Sequence, residues 1–114
     1  MTYNLYLDDV RTPKQNEWVI VRSYQEAVDY VTKHGLPFMV SFDHDLAEDA
    51  FMYDNAKTGY DFAKWLCDYI QENNLDMDNF YFDVHSMNPV GAENIRQYMA
   101  NFHRNYRKVN DTQS

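Results

Sequence analysis

The chain has 114 residues, 45% hydrophobic and 17% aromatic, with a formal net charge of −8. That length holds one domain with a real core and excludes two of ordinary size, and the apolar and aromatic share excludes a disordered chain. The acid excess excludes extended nucleic-acid binding, because Lys and Arg supply non-specific phosphate affinity, and no apolar run approaches the ~20 residues of a membrane span.

Tyr3 to Leu7 alternates in polarity and ends in Asp8-Asp9, as a first strand would. Thr12, Pro13 and the polar stretch to Glu17 leave room for a loop or one helical turn before Trp18-Val19-Ile20-Val21, a β-branched second strand, so the usual crossover helix is curtailed here. Ser23-Tyr24-Gln25-Glu26 predicts a capping box, and the helix that follows stops at His34-Gly35, before Pro37. Phe38 to Phe42 is a buried third strand running into Asp43-His44-Asp45. From 47 to 57 the chain is acidic and without period, and a loop that closes over a site is expected there.

Thr58-Gly59-Tyr60-Asp61 opens the next helix, with Phe62, Ala63, Leu66, Cys67 and Ile70 on its apolar side, ending near Asn73-Asn74. Cys67 has no partner for an internal disulfide, and the first residues lack the basic-then-apolar pattern of a secretion signal. A reduced, cytoplasmic protein with a buried thiol is expected. Phe80 to Val84 is the fourth strand. Asn88-Pro89-Val90-Gly91 leads into a last helix with Ala92, Ile95, Met99 and Phe102 on one stripe. The expected architecture is α/β: a single-domain three-layer sandwich around a parallel sheet of about four strands, over residues 1–106, with a flexible tail at 107–114.

Three strand-like runs thus end in charged or hydrogen-bonding residues, at Asp8-Asp9, Asp43-His44-Asp45 and His85-Ser86-Met87-Asn88. In an open α/β sheet such ends line the ligand crevice. Gathered carboxylates repel one another without a cation or a proton, and hard oxygen donors suit Mg²⁺ or Mn²⁺. Asp8, Asp9 and Asp43 are the expected metal ligands. His44 and His85 have the neutral pKa that proton transfer needs, and Asp45 is placed to orient a histidine. Ser86 and Asn88 before one helix, and Thr58-Gly59 before another, present side-chain and backbone donors to a phosphate, and Arg11 adds a bidentate cation. For the residues at both helix starts the alternative is plain helix capping.

The motifs L-D-D-V-R-T-P, S-F-D-H-D-L and V-H-S-M-N-P-V-G, with T-G-Y-D before a helix, resemble the cyclic-phosphate-processing receiver-like domain family over nearly the whole chain. The resemblance implies a receiver-like, flavodoxin-type sheet and action on cyclic phosphates, at RNA ends or in nucleotides, by Asp8, Asp9, Asp43, His44, Asp45, His85, Ser86 and Asn88. The chain is also similar to response-regulator receivers, in which an acid pair on strand one binds Mg²⁺ beside a phosphoacceptor Asp at the place of Asp43. It departs from them in lacking Lys-Pro at a fifth strand and in setting His44 beside that acid. The expected function is a metal-assisted phosphoesterase opening a cyclic phosphate on a small phosphorylated ligand or an RNA end. The alternatives are a non-catalytic receiver-like signalling module and a structural accessory protein.

Overall fold

A computed structural model describes residues 2–14, 17–46 and 57–108. The expected 47–57 loop, apart from Lys57, and the end of the C-terminal tail lie outside them. The elements run β1 (Asn4–Leu7), β2 (Trp18–Val21), α1 (Tyr24–His34), β3 (Met39–Phe42), α2 (Gly59–Glu72), β4 (Tyr81–Val84) and α3 (Pro89–Asn105). All strands are parallel, in the order β2-β1-β3-β4. This is the receiver-like α/β architecture that the sequence predicts.

Local chemistry explains the element ends. Ser23 caps α1 by accepting from the Glu26 amide, while the Glu26 carboxylate returns to the Arg22 amide, one residue before the cap. Gly35 ends α1 at φ 91°, a conformation that costs glycine little. Thr58 and Asp61 form a complete capping box at α2, and Asn88 caps α3 with Pro89 in its first turn.

The crossovers β2 to β3 and β3 to β4 run in the same direction across the sheet, so right-handedness places α1 and α2 on one face. There α1 packs on α2 and α2 on α3, which also rests on β4. Leu5, Leu7, Val40 and Phe42 point into this layer at 0% exposure, against Val31, Phe62, Leu66, Ile70, Ile95 and Met99. The connection from β1 back to β2 runs the opposite way. Among the described residues no helix packs on the second face, so they form two layers where the sequence reading expected three, because the β1 to β2 connection carries no described helix.

The residues of opposite parity form rows on this second face. Trp18, Asn4, Met39 and Tyr81 are in register, and so are Ile20, Tyr6, Ser41 and Asp83. The ladder continues beyond the strands: the Asp8 amide donates to the Val21 carbonyl at 3.1 Å, Asp43 to Leu7 at 3.0 Å and His85 to Phe42 at 3.0 Å. A third row of the same parity is therefore Arg22, Asp8, Asp43 and His85, at the carboxyl edge. No helix of the described residues is long and apolar enough to cross a membrane.

Candidate functional site

Asp8 is 0% exposed and its carboxylate is fully engaged. One oxygen accepts from the amides of Val10 at 2.9 Å and Arg11 at 2.8 Å. The other meets His85 Nε2 at 2.9 Å and Arg11 Nε at 3.3 Å. Four acceptances use the lone-pair sites of a carboxylate. Burial by itself would raise the Asp8 carboxyl, but the two amides, the imidazole and the guanidinium outweigh it and hold it below the usual carboxylate range. Arg22 fixes the chain that presents these groups, donating to the carbonyls of Asp8 at 3.1 Å and Arg11 at 2.6 Å and to Thr12 Oγ1 at 3.0 Å.

Asp43 lies beside Asp8 in the same row and is 5% exposed. Its burial and the Asp8 charge raise its carboxyl, and a hydrogen bond with Ser86 offsets them in part. Asp8, Asp9 and Asp43 each bring a carboxylate oxygen within 4.8 Å of the others. Opposite oxygens around Mg²⁺ stand ~4.2 Å apart and around Ca²⁺ up to ~5 Å, so this donor set fits one divalent ion. Burial is the larger cause of the raised Asp43 carboxyl, and such an ion would relieve the part that the Asp8 charge adds.

The two candidate histidines lie on opposite sides of the sheet. His85 extends over the second face, stacked on Tyr6 with ring centroids 4.4 Å apart and planes within 10°. Its Nδ1 meets Ser41 Oγ at 2.7 Å, so both ring nitrogens are engaged. Arg11 also donates to the His85 carbonyl at 3.0 Å. His44 turns toward the helical layer and rests on the first turn of α3, where a Cβ at Gly91 would stand 2.4 Å from its Cγ. Its Nδ1 pairs with Asp45 at 2.8 Å, and among the described residues its Nε2 makes no hydrogen bond. The bond from His44, helped by Asn88, holds the Asp45 carboxyl below its usual value.

The remaining site candidates are tied into the same edge. Ser86 Oγ accepts from the Asn88 amide at 3.1 Å, and Asn88 accepts from Gly91 at 2.9 Å while reaching Asp45 at 3.4 Å. Thr58 is engaged in its capping box, and the Gly59 amide donates to the His44 carbonyl at 2.8 Å. A Cβ at Gly59 would fall 1.8 Å from the Asp43 carbonyl oxygen, so only glycine lets α2 approach the strand end this closely. The sequence reasoning gave no site role to Tyr6, Arg22 or Ser41. Strand parity carried a signal for all three, since each shares the face of Asp8, Asp43 and His85.

A family model described as the cyclic-phosphate processing receiver domain matches residues 3–101. The chain belongs to that family. No curated protein and no solved structure shows significant similarity to it. This cyclic-phosphate processing receiver domain carries an acid cluster at the carboxyl edge of the sheet, where ligands of open α/β folds bind.

Proposed function

We propose that this receiver domain is a metal-assisted phosphoesterase that opens a cyclic phosphate. The observation that carries the reading is the Asp8, Asp9 and Asp43 cluster, with donors within 4.8 Å, beside a carboxylate-held imidazole at the same edge. A divalent ion such as Mg²⁺ or Mn²⁺ supplies charge neutralisation for phosphate oxygens and lowers the pKa of bound water.

The side chains divide the remaining work. Asp8, Asp9 and Asp43 would hold the ion together, Asp8 with a carboxylate already oriented by four contacts. The longest of those is the Arg11 guanidinium, so Arg11 is the partner that would yield where Asp8 helped to hold a divalent ion, and its guanidinium would then be open to a phosphate. His44 is the proton-transfer group: Asp45 holds its Nδ1, and among the described residues Nε2 has no hydrogen-bond partner, as a general base or acid requires. Ser86 and Asn88 border the phosphate beside Asp43 and Asp45.

A second reading, a non-catalytic receiver that binds metal or phosphoryl groups, is favoured by one observation: His85 has both nitrogens engaged and offers no proton route without rearranging. Incubating the protein with 2′,3′- and 3′,5′-cyclic nucleotides and a cyclic-ended oligonucleotide, with Mg²⁺, Mn²⁺ or EDTA, separates the two. Turnover that needs the ion supports the esterase. Ion binding with no turnover of any substrate supports the binding module.

A further inference from the structure

We infer that Ser41 is a positioning residue for the metal centre, acting through His85. The inference rests on the metal reading above, and its own observation is a chain of two short bonds, Ser41 Oγ to His85 Nδ1 at 2.7 Å and His85 Nε2 to Asp8 Oδ2 at 2.9 Å. β3 lies between β4, which His85 follows, and β1, which carries Tyr6 and leads into Asp8. The imidazole therefore has to cross β3 to reach Asp8, and it crosses at Ser41. A large side chain in that row would block the crossing. An apolar small one would leave a buried ring nitrogen without a partner.

Asp8 is acceptor-only when ionised, so Nε2 carries the proton, and Nδ1 of the neutral ring accepts from the Ser41 hydroxyl. Stacking on Tyr6 fixes the ring plane and the two bonds fix its rotation. A histidine seated in this way orients a ligating carboxylate from behind, the arrangement that tunes metal sites through the groups around their ligands. Ser41 is buried, at 5% exposure, so it supports the site and does not touch substrate.

The test compares Ser41→Thr with Ser41→Val, two side chains of nearly equal volume that differ in the hydroxyl. Nitrogen-15 resonances of the His85 ring are read in the metal-free protein, and Mn²⁺ affinity is read by calorimetry. The expected result is that Val shifts the Nδ1 resonance toward an unbonded nitrogen and weakens Mn²⁺ by about tenfold, while Thr keeps the wild-type resonance and affinity. Ser41→Ala, which keeps the room and loses the bond, should behave as Val does. Unchanged resonance and affinity in folded Val and Ala variants would overturn the inference, as would Thr and Val behaving alike. If the wild type binds no Mn²⁺ the metal reading fails and the positioning role falls with it. The Nδ1 resonance then still shows whether the Ser41 bond exists, which keeps the two failures distinct.

Discussion

At the residue scale, Asp8 and Asp43 are neighbouring carboxylates with opposite environments. Asp8 is held ionised by four partners, and Asp43 is pushed toward its neutral form by burial and by Asp8. The two therefore contribute to stability with opposite signs. The lowered Asp8 carboxyl stabilises the fold above its unfolded pKa, and that contribution is lost as pH falls through the folded value. The raised Asp43 carboxyl favours the fold below its unfolded pKa and loses that contribution as pH rises through its folded value, so its ionised form is a cost at neutral pH. Asp43→Asn is expected to raise the metal-free Tm by a few degrees at pH 7, with the gain vanishing at acid pH, while removing divalent-ion binding. Asp8→Ala should cost about 3 kcal/mol in denaturant unfolding, because it strands His85 and Arg11 beside a cavity. Cys67, 1% exposed with its thiol pushed up to about 12 by burial, is expected to resist alkylation in the native state.

At the scale of elements, two glycines bring helices against the site. Gly59→Ala places a methyl group inside the Asp43 carbonyl and should lower stability by about 3 kcal/mol or more, since the obstacle is backbone. Gly91→Ala meets the His44 ring, a side chain that can turn away, and gains helix propensity of about 1 kcal/mol. Near-normal melting with a displaced His44 is the expected outcome, read from its ring resonances. Much of this level was legible in the chain. The alternating Tyr3 to Leu7, the β-branched Trp18 to Val21 and the Thr58 and Asn88 caps are local signals, and each element lies within a residue or two of its predicted place. The pairing between distant segments was not. Asp43, His44, Asp45 and His85 all follow strand ends, but their sides of the sheet depend on parity and register, which split His85 toward Tyr6 and Ser41 and His44 toward Gly91.

At the scale of the molecule, among the described residues three helices pack on one face of the sheet and none on the other, which makes the sheet asymmetric. The acid row is the carboxyl end of the less covered face, so Asp8, Asp43 and His85 extend the rows that begin at Trp18, Asn4, Met39 and Tyr81. The family match over residues 3–101 covers every one of these positions. A native-state cation stabilises by mass action, so Mn²⁺ at about 100 times its Kd should add roughly 2.7 kcal/mol to unfolding, and Asp9→Asn should reduce that gain. The most direct check on the account is the initial rate of cyclic-phosphate hydrolysis with Mn²⁺ by the wild type and by a His44→Ala variant shown to melt normally. The account predicts a loss of about 10²-fold or more. A folded His44→Ala protein that turns over the best substrate at the wild-type rate would contradict it.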